Sequence, residues 1–121
     1  MHIQRILVVE DSPTDQFMLR EILTRRGYQV ATADTGERAL ELARQDPPDL
    51  ILMDVVMPGL NGFQVTRQLQ RDQRLGRIPV IMCSSKTQAS DRAWGLRQGA
   101  CNYLTKPVRE ADLIGSIRAL G

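Results

Sequence analysis

Short apolar runs alternate along this chain with longer stretches in which apolar residues recur every three or four positions. The runs, one of which alternates between apolar and polar residues, predict five strands, at residues 5–9, 28–33, 50–53, 78–83 and 101–104. The amphipathic stretches predict helices that begin near residues 13, 36, 62, 89 and 109. Because strands that alternate with helices are typical of βαβ units, we expect a parallel sheet with helices on both faces.

The ends of these elements carry boundary signals. Ser12 followed by Pro13 is typical of a helix N-cap and first helical position, and Gly27 is typical of a helix end. The strand at 50–53 is apolar on both faces, as in the centre of a sheet, whereas 28–33 alternates, as at an edge. We therefore predict an α/β fold of flavodoxin-like type, a three-layer αβα sandwich with five parallel strands in the order 2-1-3-4-5.

The composition is that of a soluble globular protein. The chain has 121 residues, 42% hydrophobic and 25% charged, and we expect residues 1–121 to form a single domain. Its net charge of +2 gives no indication of nucleic-acid binding. No apolar stretch approaches the roughly 20 residues of a membrane span, and we expect no signal peptide before the first strand. Cys83 and Cys101 are predicted to be buried thiols within strands, which fits a cytoplasmic location.

Three carboxylates follow the two strands that are predicted to lie side by side at the centre of the sheet. Glu10 and Asp11 follow the first strand, and Asp54 follows the third. Open α/β folds bind ligands at this carboxyl edge, where the strand order reverses. Two like charges about 4 Å apart repel by roughly 4 kcal/mol at an effective dielectric constant of 20, so a cation is expected among them. Because every ligand is an oxygen, the pattern favours Mg²⁺ over zinc.

The ends of the fourth and fifth strands carry groups that suit a phosphate. Ser84 can donate a hydrogen bond to a phosphate oxygen, and Lys106, one of two lysines in the chain, brings a positive charge to the same edge. A carboxylate nucleophile, a cation and hydrogen-bond donors are the components of phosphoryl transfer to an aspartate. Each residue also has an ordinary interpretation, such as Asp54 in a turn or Lys106 on the surface, so the prediction depends on their coincidence.

These features occur in the order and spacing of a known family. The whole chain resembles the receiver domain of two-component response regulators, and the resemblance is carried by Glu10-Asp11, Asp54, the segment MPGLNG at 57–62, Ser84 and Lys106-Pro107. It implies that Asp54 accepts a phosphoryl group from a histidine kinase in a Mg²⁺-dependent reaction. Mg²⁺ would be held by the side chains of Glu10, Asp11 and Asp54 and by the backbone carbonyl of Val56.

The same resemblance assigns roles to the remaining residues of the site. Ser84 would be the switch hydroxyl, Lys106 would contact the phosphoryl group, and Tyr103 would be the switch aromatic residue. A cis peptide bond is expected between Lys106 and Pro107, since proline lowers its free-energy cost. The protein would be a signalling switch with self-catalysed phosphorylation and dephosphorylation, not a metabolic enzyme.

We expect no output domain after the last predicted helix, so the chain resembles the stand-alone receivers of chemotaxis and twitching motility. Residues 55–64 and 93–100 look closest to the twitching-motility type. Output is expected through protein–protein contacts of helix 4, strand 5 and helix 5, with Trp94 at the interface. Gly95 costs about 1 kcal/mol in helix propensity relative to alanine, which indicates mobility there. A monomer is expected, without nucleic-acid partners, and the kinase and output partner stay open.

Two positions depart from fast-cycling chemotaxis receivers. Val56, two residues after Asp54, is apolar where an amide or acid could orient water, and Lys86, two residues after Ser84, is a cation. We therefore predict a long-lived phosphoryl group.

Three alternatives belong to other functional classes. The protein could be a phosphorylation-independent scaffold or adaptor on the same fold, although the intact acidic site argues against this. A flavodoxin-like nucleotide binder is disfavoured because the acidic, glycine-free junction at residues 10–13 would repel a phosphate. A phosphatase of the haloacid-dehalogenase type would need a second acid two residues after Asp54, and Val56 stands there.

Overall fold

Five strands alternate with five helices in the computed structural model, which describes residues 2–121. The strands are β1 Arg5–Val9, β2 Gln29–Ala33, β3 Leu50–Met53, β4 Val80–Ser84 and β5 Asn102–Thr105. The helices are α1 Pro13–Arg25, α2 Gly36–Gln45, α3 Gly62–Arg71, α4 Ala89–Gln98 and α5 Glu110–Arg118. All neighbouring strands pair in parallel, in the order β2-β1-β3-β4-β5. The predicted fold class and strand order are confirmed.

The sheet has a separate apolar layer on each face. One layer packs the β1 residues Ile6 and Val8 against α1 and α5, through residues such as Leu23 and Leu113. The other layer includes Leu7 of β1, together with residues of α2 and α3. Alternate residues of one strand therefore face opposite layers, as expected for a strand buried on both faces.

The register of the central strands decides which side chains meet at the carboxyl edge. Val9, the last residue of β1, pairs with Met53, the last residue of β3. The amide of Asp54 then donates a 2.9 Å hydrogen bond to the carbonyl oxygen of Val9. Because both strands end at the same level, Glu10 and Asp54 emerge from the sheet side by side.

Three strands have boundaries that differ from the sequence prediction: β2 begins one residue later, β5 lies one residue later at both ends, and β4 differs at both ends. The predicted strand at 78–83 begins later, at Val80, because Pro79 has no amide hydrogen to donate to the ladder. It also ends one residue later, since Ser84 pairs with Thr105. Ser84 is therefore the last residue of β4, and its side chain is fully buried at the carboxyl edge.

The two cysteines have different environments. Cys83 lies in β4 as predicted, and burial raises the pKa of its thiol to about 12. The prediction that Cys101 is buried within a strand is wrong, because Cys101 precedes β5 and is exposed. Its thiol donates to the carbonyl oxygen of Val80 at 3.3 Å, at the start of the neighbouring strand.

Gly95 in α4 has a packing role that the sequence did not indicate. A methyl group at this position would lie 2.8 Å from the sulfur of Met82 and 3.0 Å from the ring of Tyr103. The glycine thus allows α4 to approach β4 and β5 closely. Within the described residues, none of the helices combines the length and apolarity that crossing a membrane would require.

Candidate functional site

The three carboxylates predicted to converge do so at the ends of β1 and β3. Glu10, Asp11 and Asp54 each offer an oxygen, and these oxygens all lie within 4.8 Å of one another. Glu10 and Asp54 are buried, at 1% and 5% exposure, whereas Asp11 is exposed. The cluster therefore has two carboxylates shielded from water and one at the entrance.

Burial makes the charged forms of the two inner carboxylates costly. It raises the pKa of Glu10 to about 7, against hydrogen bonds from Lys106 and the Ser12 amide that favour the charged form. The pKa of Asp54 is also raised, chiefly by burial. A cation placed among these acids would favour their charged forms and lower both pKa values.

Lys106 is the cation that the chain itself supplies. Its Nζ lies 2.6 Å from Oε2 of Glu10, 3.0 Å from Oδ2 of Asp15 and 3.4 Å from Oδ1 of Asp54. Burial alone would lower the pKa of Lys106, but the bonds to Glu10 and Asp15 and the charge of Asp54 raise it above its ordinary value. Lys106 is therefore charged at neutral pH. The peptide bond to Pro107 is cis, as predicted.

Asp15 is a residue of this site that the sequence interpretation missed. It lies in the first turn of α1, where its amide donates to the Oγ of the N-cap residue Ser12 at 3.3 Å. Since α1 begins directly after Glu10 and Asp11, its first turn stands over the carboxyl edge of the sheet. An acid three residues after the N-cap was the signal available in the sequence, but it is common in helices that bind nothing.

Ser84 and Tyr103 are joined through the backbone of Lys86. The amide of Lys86 donates to Oγ of Ser84 at 3.1 Å, and the hydroxyl of Tyr103 donates to the carbonyl oxygen of Lys86 at 2.7 Å. Tyr103 is buried at 2% exposure, with its ring against Gly95. The structure thus brings the predicted switch hydroxyl and switch aromatic residue into one hydrogen-bonded chain.

Trp94 is exposed, but it does not lie with Tyr103. Its side chain is 45% exposed and borders a groove between α3 and α4, with the guanidinium of Arg97 5.9 Å from the ring centre. A separate groove between β5 and α5 is bordered by Arg92 of α4. Trp94 therefore lies on the α3 side of α4, whereas Arg92 of the same helix borders the groove beside β5 and α5.

The ligand atoms at the carboxyl edge fit a hard divalent cation. Glu10, Asp11 and Asp54 supply only oxygens, and burial, the main cause of the raised pKa values of Glu10 and Asp54, disfavours their charged forms unless a cation offsets it. Few protein ligands suit a metal that keeps several waters, as Mg²⁺ does. The contribution of the Val56 carbonyl stays a prediction, and the Val56 side chain is exposed at 55%.

Comparison with known sequences agrees with this geometry. The family described as the response regulator receiver domain matches residues 6–118. The chain is 53% identical to protein PilH of Pseudomonas aeruginosa, over 96% of both chains. Longer relatives also match, and the chain covers 26% of the length of one and 50% of another.

Solved structures extend the likeness to the whole fold. The chemotaxis protein CheY4 of Vibrio cholerae is 28% identical, with a TM-score of 0.91 over 99% of this chain and 100% of that one. The receiver domain of sensor histidine kinase PA1611 of Pseudomonas aeruginosa is 32% identical, with a TM-score of 0.89 over 98% and 97%. That second structure has a magnesium ion coordinated in its active site cleft.

Proposed function

Because this chain belongs to the family of response regulator receiver domains, we propose that it is a phospho-acceptor switch in which Asp54 accepts a phosphoryl group from a histidine kinase in a Mg²⁺-dependent reaction. The observation that carries the proposal is the position of Asp54. Its buried carboxylate lies within 4.8 Å of the oxygens of Glu10 and Asp11 and 3.4 Å from the ammonium of Lys106.

The chemistry requires an ionised Asp54 and groups that neutralise the incoming charge. One carboxylate oxygen of Asp54 forms the new P–O bond, while the P–N bond of the donor phosphohistidine breaks and its electron pair stays on the imidazole. Lys106 offers a positive charge to the phosphoryl oxygens, and the hydroxyl hydrogen of Ser84 is available to another, since its oxygen accepts from Lys86. Glu10, Asp11, Asp54 and the Val56 carbonyl would hold Mg²⁺, which supplies further charge neutralisation when bound.

The route from the site to the surface runs through the same hydrogen-bonded chain. Movement of Ser84 toward a phosphoryl group would pull on the amide of Lys86, whose carbonyl oxygen accepts from Tyr103. Tyr103 packs against Gly95 of α4. A local electrostatic change would thereby favour one of two arrangements of α4 and β5.

Output is proposed to be a protein–protein contact in chemotaxis-type or twitching-motility signalling. The identity to PilH supports the motility assignment. The groove between β5 and α5 supports the contact, because small residues border it, including Ala111, Gly115 and Ala119. Small side chains leave the backbone accessible to a partner that packs along α5.

Trp94 gives a direct test of switching, because it is the single tryptophan of the chain. Its emission should change when Mg²⁺ and beryllofluoride, a phosphoryl mimic, are added together, and Asp54→Asn should abolish the change. Asp46→Asn is the control, since Asp46 is an exposed acid before β3 at the opposite edge of the sheet. If Trp94 emission in the wild type does not change when the mimic is added, the result would favour the phosphorylation-independent scaffold.

A further inference from the structure

Lys106 has three carboxylate partners, and one of them lies outside the candidate metal cluster. Its ammonium group has three N–H donors, and the carboxylates of Glu10, Asp15 and Asp54 surround it at 2.6, 3.0 and 3.4 Å. Glu10 and Asp54 belong to the cluster with Asp11, whereas Asp15 does not. Asp15 is also closer to the ammonium than Asp54 is.

Metal binding and Lys106 compete for Glu10. Both oxygens of Glu10 are already engaged, since Oε2 accepts from Lys106 and Oε1 accepts from the amide of Ser12 at 3.1 Å. A divalent cation held by Glu10 would repel the ammonium beside it. Metal binding would therefore weaken the bond from Lys106 to Glu10, the shortest of its three, and its contact with Asp54, whereas Asp15 lies outside the cluster.

We propose that Asp15 is a positioning residue that keeps the Lys106 ammonium beside Asp54 when Mg²⁺ occupies Glu10, Asp11 and Asp54. The inference rests on the proposed function and deepens it. Asp15 acts through Lys106 and does not touch the phosphoryl group. Its position is fixed by the first turn of α1, where Ser12 caps its amide. Its side chain is 32% exposed, so the pair remains partly solvated and free to re-form as Lys106 moves.

The lysine content of the chain makes the proposal measurable. Lys86 and Lys106 are the two lysines of the sequence, so labelling lysine with ¹³C and ¹⁵N gives two side-chain signals by NMR. The Lys86 side chain is 47% exposed and serves as an internal reference, while that of Lys106 is 18% exposed. An ordered ammonium differs from a mobile one in side-chain relaxation and in proton exchange.

The experiment compares the wild type with Asp15→Asn, with and without Mg²⁺. In the wild type, Lys106 should stay ordered in both conditions. In Asp15→Asn it should be ordered without Mg²⁺, held by Glu10, and become mobile when Mg²⁺ is added. Asp15→Glu should restore the order, and Glu21→Gln, which removes an exposed acid from the same helix, should have no effect. The Lys86 signal should be the same throughout.

Phosphorylation by acetyl phosphate supplies the second readout. Its rate should fall in Asp15→Asn by about three- to fivefold, the size expected from losing a partly exposed ion pair. A Lys106 signal that stays equally ordered in Asp15→Asn with Mg²⁺ would overturn the inference, as would a wild-type Lys106 that becomes mobile when Mg²⁺ is added. If the wild type takes up no phosphoryl group while the order of Lys106 depends on Asp15, the positioning role stands and the proposed function fails.

Discussion

The hydroxyl of Tyr103 donates a 2.7 Å hydrogen bond to the carbonyl oxygen of Lys86, which links β5 to the loop that follows β4. The amide of the same Lys86 donates to the side chain of Ser84, the last residue of β4. A single residue of the loop thus contacts both the predicted switch hydroxyl of Ser84 and the aromatic residue that packs under α4. The backbone of Lys86 makes both contacts, so neither depends on the lysine side chain.

Tyr103→Phe is expected to lower the free energy of unfolding by about 1 kcal/mol, because the hydrogen bond from the Tyr103 hydroxyl to the Lys86 carbonyl is lost. The variant should also weaken the change in Trp94 emission caused by beryllofluoride and Mg²⁺. Urea unfolding and emission spectra measure the two effects. Tyr28→Phe is the matched control, since Tyr28 is half-buried, and it should change neither. Equal effects of the two substitutions would contradict the role of the Tyr103 hydroxyl.

Gly95→Ala is expected to destabilise the protein, although alanine is favoured in helices by about 1 kcal/mol. The added methyl group would lie 3.0 Å from the rigid ring of Tyr103, and overpacking of this kind costs about 1–3 kcal/mol. Gly115→Ala in α5 is the control, because a methyl group there meets nothing within 4 Å. Thermal unfolding should show a lower Tm for the first variant and a higher Tm for the second. A higher Tm for both would mean that α4 is loosely packed.

Val56→Asn should shorten the lifetime of the phosphorylated protein by about tenfold, because an amide near Asp54 can orient an attacking water. The Val56 side chain is exposed at 55%, so the substitution leaves the core intact. The loss of the phosphoryl group can be followed by intact mass after acetyl phosphate is removed. Val56→Ala removes bulk without adding an amide, and it separates orientation of water from its exclusion. An unchanged lifetime in Val56→Asn would count against orientation of water, and an unchanged lifetime in Val56→Ala would count against its exclusion.

Asp49, which contacts the start of β1, is expected to make the free energy of unfolding depend on pH. Its Oδ2 accepts from the amides of Gln4 and Arg5 at 2.9 Å, and these bonds, the one from Arg5 first, hold the pKa of Asp49 below its usual range. A group whose pKa is lowered in the folded state stabilises the folded protein at pH values above its unfolded-state pKa, about 3.9 for aspartate. That stabilisation is lost as the pH falls through the folded-state pKa.

The wild type should therefore exceed Asp49→Asn by about 1 kcal/mol in free energy of unfolding at pH 7, a figure reduced for partial solvation. The difference should shrink below about pH 4. Urea unfolding at several pH values measures it. Asp46→Asn is the control, since Asp46 is 74% exposed in its ion pair with Arg5 and should contribute little. A difference between wild type and Asp49→Asn that is constant with pH would contradict the assignment.

The fold and the centre of the site were predictable because they depend on local patterns. Apolar runs defined the strands, and a central strand pair that ends at Val9 and Met53 necessarily presents Glu10 and Asp54 together. The edge position of β2 followed from its alternating pattern, which is visible in its half-exposed residues. These inferences required only periodicity and the rules of parallel sheets.

The features that escaped prediction depend on contacts between distant elements. Asp15 meets Lys106 across 91 positions of sequence, and nothing in the first turn of a helix reveals which side chain will reach it. The sequence suggests that Gly95 only weakens its helix, whereas in the structure the glycine leaves room for the ring of Tyr103. Cys101 resembles a strand residue in hydropathy, but pairing of β5 begins at Asn102, one residue later.

The measurement that bears most directly on the proposed role of Asp54 is the intact mass of the protein after incubation with acetyl phosphate. The wild type, Asp54→Asn and the control Asp46→Asn are each treated with and without Mg²⁺. We expect the wild type and Asp46→Asn to gain one phosphoryl group only when Mg²⁺ is present, and Asp54→Asn to gain none. A phosphoryl group on Asp54→Asn, or one acquired by the wild type equally well without Mg²⁺, would contradict a Mg²⁺-dependent phospho-acceptor at Asp54.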